Sequence, residues 1–179
     1  IHSIYFDSAD LHTHQATVNG EKNRFKLRFR YYDGQPDSPV FCEIKQRIDN
    51  SILKRRCAIR RDAVPVVVAG HLPALEQLIS RESRHQVALQ RFNALMLRLN
   101  AMPRLHNHYH REAWVSPHDN SIRVTLDRKI RVEPYFGDQA VVSMQRPTGI
   151  YQEFVVLELK FTGRFPNWFN TLVSRFNLM

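Results

Sequence analysis

The chain reads as an α+β protein built on an antiparallel sheet, and three observations predict it. Charged and apolar residues alternate with period two in four separate stretches, as half-buried strands require. Short turn-forming segments, Asp33 to Pro39 and Asp49-Asn50-Ser51, join neighbouring strands too closely for helical crossovers. Helical spacing is confined to a middle section and the extreme end, so strands and helices are segregated rather than interleaved.

The elements follow in order. Strands are predicted near 1–6, 24–32, 40–48 and 52–60. Helical periodicity then covers 73–81 and 84–100, with Val87, Phe92, Leu95, Met96 and Leu99 on one face, and Pro103 ends it. Strands resume at 105–116 and 121–133, joined by a turn at Pro117-His118-Asp119-Asn120. Further strands are predicted near 140–144 and at 153–161. Gly163 and Pro166 introduce a last helix from Asn167. No repeat or low-complexity tract divides the chain, so residues 1–179 read as a single domain. It opens in a strand and stops in a helix, and is expected to be a piece of a longer protein, truncated at both ends.

Composition narrows the function. The 179 residues carry a formal net charge of +9, which points to an anionic partner. Cys42 and Cys57 lie among apolar neighbours on predicted strands and have no metal-ligand spacing, so they read as small core residues of a reducing compartment. The longest apolar run, 63–70, is too short to span a bilayer. A cytoplasmic location, or the cytoplasmic face of a membrane, is expected, with membrane association only through segments outside this chain.

The charge is concentrated on strand faces. Arg24, Lys26, Arg28 and Arg30 alternate with Phe25, Leu27, Phe29 and Tyr31. Glu43, Lys45 and Arg47 alternate with Cys42, Ile44 and Gln46. Arg123, Thr125, Asp127, Lys129 and Arg131 oppose Ile122, Val124, Leu126, Ile130 and Val132, while Glu158 and Lys160 oppose Leu157, Leu159 and Phe161. A solvated strand usually mixes signs; four like charges on one face repel unless something anionic lies among them. Such strands closed into a barrel, bases inward and apolar faces covered by helices at 72–101 and 167–178, would hold phosphate groups through Arg and Lys. The carboxylates Glu43, Asp127 and Glu158 are then either organisers of the bases or ligands of a divalent ion that bridges phosphates, and Glu158 is the favoured metal ligand.

Lys26-x-Arg28-x-Arg30-Tyr31, Phe41-x-Glu43-x-Lys45, Lys54-Arg55-Arg56, Tyr109-x-Arg111, Arg123-x-Thr125-x-Asp127 and Leu157-Glu158-x-Lys160-Phe161 occur in this order. The series resembles the VTC domain, the catalytic module of the vacuolar transporter chaperone polyphosphate polymerases, in the CYTH or triphosphate tunnel metalloenzyme superfamily. The resemblance implies a tunnel of antiparallel strands that binds ATP and polyphosphate and transfers the γ-phosphate to a growing chain with release of ADP. It implies Arg28, Arg30, Lys45, Lys54, Arg111 and Arg123 as catalytic, phosphate-binding bases and Glu158 as the ligand of Mn²⁺ or Mg²⁺. Lys26, Arg56 and Lys160 join the substrate-binding set by strand alternation. Two alternatives keep the same fold: a tripolyphosphatase or nucleoside triphosphatase, and a non-catalytic polyphosphate-binding module.

Other features have plainer readings. His106, His108 and His110 alternate opposite Tyr109 and Arg111, and are expected outside, at the surface or against a helix. The run Lys54-Arg55-Arg56 with Arg60-Arg61 splits its charges between two faces and is joined by no stacking motif, so no nucleic-acid partner is expected. Trp114 and Trp168 read as packing residues, and His12 and His14 as part of a polar loop. No Gly-Lys-Ser/Thr loop exists, so a nucleotide would be held by side chains.

Overall fold

The computed structural model describes residues 1–117 and 121–178; the turn expected at 117–120 falls largely outside the described residues. The chain is α+β. Its strands are β1 (His2–Asp7), β2 (Arg24–Tyr31), β3 (Val40–Ile48), β4 (Ser51–Ile59), β5 (Met102–Val115), β6 (Ile122–Pro134), β7 (Thr148–Ile150) and β8 (Val156–Phe161). Its α-helices are α1 (His12–Val18), α2 (Val64–Val68), α3 (Ser83–Leu99) and α4 (Asn167–Arg175). The strands form one eight-stranded antiparallel sheet in the order β4-β3-β2-β1-β5-β6-β7, with β8 paired to β6. Among the described residues no pairing joins β4 to β7 or β8, so the sheet is open rather than a closed hydrogen-bonded ring. No helix among the described residues is long and apolar enough to cross a membrane.

The chain packs as two compact units, residues 1–108 with 131–148, and residues 109–130 with 149–179. In the first, β2 pairs with β1 and β3, and β3 with β4, so that Arg28 faces Tyr5 and Glu43, and Glu43 faces Arg56. One face of these strands is apolar: Ile4, Phe6, Leu27, Phe29, Tyr31, Cys42, Ile44, Cys57 and Ile59 are all buried. Helix α3 covers it with Ala88, Leu89, Phe92, Leu95 and Met96. The rings of Phe6, Phe29 and Phe92 meet at centroid distances of 4.6 to 5.7 Å. Burying a side chain of this size stabilises by about 1.5–3 kcal/mol, and Phe92→Ala would cost about 3–5 kcal/mol. Helix α3 stops where Asn100 turns into the left-handed region at φ 47° and Pro103 follows. Cys42 and Cys57 are opposite one another in the core, and burial pushes the Cys57 thiol up to about 11, so both behave as small hydrophobes.

Three local expectations are corrected. Residues 73–81 are not an α-helix: after Pro73 only a 3-10 turn forms at Leu75–Gln77, and the chain then runs beside the end of β4, where Arg60 donates to the Gln77 carbonyl and Ile79 to that of Ala58. No strand forms at 140–144. There the Ala140 carbonyl accepts from Arg61, the Val141 carbonyl accepts from the Tyr31 hydroxyl, and the Gln145 and Arg146 amides donate to the Glu133 carboxylate. Side chains replace the ladder. The loop expected around His12 and His14 is helix α1, anchored by Asp7, whose carboxylate accepts from the Ser8, Thr13 and His14 amides and the Thr13 hydroxyl.

In the second unit β6 and β8 pair with Thr125 opposite Glu158 and Arg123 opposite Lys160. The alternation predicted through Arg131 is interrupted at Lys129, which adopts φ 53°. Helix α4 closes one side by burying Phe169 against Phe161 and Phe165. Its neighbour Trp168 packs edge-on against Phe169.

Candidate functional site

The opposite face of β2, β3 and β4 is basic. Registers place Arg24 opposite Arg47, Lys26 opposite Lys45 and Lys45 opposite Lys54; Arg28 opposite Glu43 and Glu43 opposite Arg56; Arg30 ends the face beside Phe41. That face carries eight bases and a single carboxylate, Glu43. This is the alternation read from the sequence, now brought into one patch by pairing.

Glu43 organises half of the patch. Its side chain is 2% exposed, and one oxygen accepts from Arg28 Nε at 2.8 Å and Nη2 at 2.6 Å. Lys54 Nζ lies 2.9 Å from the other oxygen, and Arg30 Nε 4.0 Å from the first. Burial pushes the Glu43 carboxyl up, but the Arg28 charge and the Lys54 and Arg28 hydrogen bonds outweigh it, and the group lies below its ordinary range. Arg28 also donates from Nη1 to the Tyr5 hydroxyl at 3.1 Å. Tyr5 was not among the residues singled out by sequence; its place on the basic face follows only from the register of β1 against β2.

The other half has no such organiser. Among the described residues no carboxylate lies within ion-pair range of Lys26 or Lys45, although the two face each other across β2 and β3. Both are exposed and line a cavity of about 250 Å³ with Arg24, Arg28, Arg47 and Tyr5. Like charges opposed across a sheet are destabilising. An anion placed between them removes that repulsion. Arg24 and Arg47 thus belong to this patch as well, and the alternation that located Lys26 and Lys45 already marked them. Arg56 stands apart from the cavity, its guanidinium stacked on the Phe41 ring at 4.1 Å.

The second unit repeats the principle on a smaller scale. Arg111 and Asp127 form a two-pronged pair, Nε to Oδ1 and Nη2 to Oδ2, each 2.6 Å, with the guanidinium 5.2 Å from the Tyr109 ring. The Asp127 hydrogen bond, outweighing burial, raises the Arg111 pKa further. Glu158 projects beside this pair. Thr125 Oγ1 donates to its Oε2 at 3.4 Å, Arg111 Nη2 lies 3.9 Å from the same oxygen, and Lys160 Nζ is 3.1 Å from Oε1. Arg123 and Lys160, opposed across β6 and β8, line a shallow hollow.

A divalent ion can be tested against these donors. Among the described residues no group of three His, Cys, Asp or Glu side chains converges, so an all-protein cage is not formed. Asp127 is committed to Arg111. Glu158, with its side chain 42% exposed, fits an ion held by one carboxylate and otherwise by phosphate oxygens and water.

His106 and His108 pair with Ile4 and His2, on the face opposite Tyr5 and Arg28, but His106 is not at the surface. It is wholly buried, with Nε2 3.1 Å from His2 Nδ1 and 3.3 Å from the Tyr31 hydroxyl. Glu133, which follows the irregularity at Lys129, comes within 3.9 Å of its Nδ1. Burial lowers the His106 pKa despite that carboxylate, so the ring is a neutral core group. His110 is exposed, as expected.

The VTC domain family model matches residues 1–179, the whole chain. No curated protein matches it.

Proposed function

The chain belongs to the VTC domain family, and on that premise we propose that it is an ATP-dependent polyphosphate polymerase. In the proposed reaction a terminal oxygen of polyphosphate forms a bond to the γ-phosphorus of ATP. The bond from that phosphorus to the β–γ bridging oxygen breaks, and ADP leaves with the electron pair. The observation that carries the reading is the basic face of β2–β4, where Lys26 and Lys45 oppose each other without a carboxylate between them. Such a patch suits a ligand made of repeated phosphates.

Phosphoryl transfer asks a protein mainly to position the reactants and to neutralise charge on the equatorial and leaving oxygens. Arg28, held by Glu43 and Tyr5, presents a preset guanidinium to phosphate. Arg30, Lys45 and Lys54 add charge on the same face, and Lys26 and Arg56 extend it. In the second unit Arg111 is fixed by Asp127, with Arg123 and Lys160 as further phosphate-binding bases. Glu158 would hold Mn²⁺ or Mg²⁺, which when bound supplies charge neutralisation at the phosphates. No Ser, Cys or His nucleophile is needed, because the acceptor is itself a phosphate oxygen. ATP and polyphosphate are the proposed partners, in a cytoplasmic or cytoplasm-facing setting.

The test is incubation with ATP and Mn²⁺, with products resolved by length. Long polyphosphate together with ADP supports the polymerase. Orthophosphate alone would make water the acceptor, and tight polyphosphate binding without turnover would leave a binding module.

A further inference from the structure

The basic cavity does not end where the basic face ends. At the start of β2 it meets a second cavity, of about 230 Å³, and Arg24 and Phe25 line both. Arg98 of α3, Asn23, Gln46 and His12 help to wall the second cavity, and Glu21 is the one carboxylate among the described residues that line it. Taking the polymerase reading as its basis, we propose that this cavity is an outlying polyphosphate site, in which a chain too long for the basic cavity continues past Arg24 to Arg98.

Register places the cavity off the basic face. Phe25 and Gln46 are cross-strand partners, and alternation turns them to the opposite side from Lys26 and Lys45. Arg24 is the base common to both cavities, so a chain held by Lys26 and Lys45 has a continuous run of positive charge to follow.

The groups around that run are donors, and they are set in place. The Arg98 guanidinium lies over the Phe25 ring, 5.6 Å from its centroid, and is exposed. Arg24 donates from Nη1 to the Glu21 carbonyl, which fixes its guanidinium at the junction. Asn23 Oδ1 accepts from the Asp49 amide at 3.2 Å, so the amino half of that carboxamide is the half left for a ligand. Among the described residues no carboxylate lies within ion-pair range of Arg24 or Arg98. Glu21 is exposed, and two guanidiniums to one carboxylate leave the lining positive. Phosphate oxygens only accept, and guanidinium is their best donor.

Helix α3 directs its charge to the same end. From Ser83 to Leu99 it carries Arg84, Arg91 and Arg98 and no acid. A spacing of seven residues puts the three on one flank, about 10.5 Å apart. Arg84 is taken by Glu82 at 2.7 Å, which leaves the uncompensated charge toward Arg98.

The experiment compares inorganic tripolyphosphate, short enough for the basic cavity alone, with long inorganic polyphosphate, by titration calorimetry on the full chain. Arg98→Gln is expected to weaken the long chain about fivefold and leave tripolyphosphate within about twofold, as for one partly exposed charge-assisted contact. Glu21→Gln, which removes the negative charge from the lining, is expected to tighten the long chain about threefold. Arg84→Gln makes the same charge change at the far end of α3 and should alter neither ligand by more than about twofold. Tripolyphosphate affinity reports that each variant has folded. The inference is overturned if Arg98→Gln weakens both ligands equally or neither, if Arg84→Gln matches it, or if Glu21→Gln leaves the long chain no tighter. If the wild-type chain binds neither ligand, the phosphate reading of the basic face fails first and takes the inference with it.

Discussion

Arg28 and Glu43 are direct cross-strand partners, and the arginine donates from both Nε and Nη2 to one oxygen of the carboxylate. The carboxylate is the more deeply buried of the two and holds Lys54 and Arg30 as well. Glu43→Gln removes the negative charge and leaves three bases facing one another. Breaking a buried pair costs about 3–5 kcal/mol, and the partial exposure of the bases reduces this to about 2–3 kcal/mol here. Urea denaturation measures it. Added tripolyphosphate should restore part of the loss, because a bound anion stabilises only the folded state.

The same carboxylate gives the fold an acid-side sensitivity. Glu43 has a folded pKa below its ordinary 4.5, so its contribution is complete above about that pH. It is lost progressively as the pH falls through the lower, folded value. Thermal melts from pH 6 down to pH 3 should show this steeper loss in the wild type, and Glu43→Gln should flatten it. Equal slopes in the two proteins would show that Glu43 is not the group responsible.

Lys26 and Lys45 separate binding from stability. Neither has a carboxylate partner among the described residues, and each faces the other. Lys45→Ala should leave unfolding free energy within about 0.5 kcal/mol of wild type, or raise it slightly by relieving repulsion. Tripolyphosphate affinity should fall about tenfold, the loss of one charge-assisted contact. A stability loss without a binding loss would place Lys45 in the scaffold instead.

What the sequence made legible follows its periodicities. The charged and apolar faces of β2 and β3 were readable because period two persists through both strands, and Lys26, Arg28 and Lys45 came with it, whereas β4 runs Lys54-Arg55-Arg56 without alternation and joins the face through its register with β3. Helix α3 was readable from its apolar spacing. Tyr5 was not, since its role arises from the register of β1 against β2, which no local pattern encodes. The segment 140–144 carries strand-like residues, yet hydrogen bonds from Arg61 and Tyr31, distant in sequence, hold it as irregular chain. Lys129 breaks an alternation that composition alone continued through Arg131, and Glu133 is thereby free to meet the buried His106. Helix α1 escaped notice because it is short and buries only Thr13 and Ala16, while its N-terminal partners come from Asp7.

Glu158 and Asp127 are neighbouring carboxylates with different surroundings, and substitution should tell the roles proposed for them apart. Glu158 is partly exposed and holds no buried pair, so Glu158→Gln should preserve stability within about 0.5 kcal/mol. Metal-dependent turnover should fall by about 10²-fold or more, as when a transition-state contact is lost. Asp127 is tied to Arg111 by two bonds of 2.6 Å, so Asp127→Asn should free that guanidinium while leaving the metal dependence in place. A loss of about 10–100-fold in kcat is expected, the usual cost of removing a group that orients a functional side chain. Turnover titrated against Mn²⁺ distinguishes the two: the half-saturating concentration should rise for Glu158→Gln and stay put for Asp127→Asn. If Asp127→Asn shifts the Mn²⁺ requirement and Glu158→Gln does not, the roles of the two carboxylates are the reverse of those proposed.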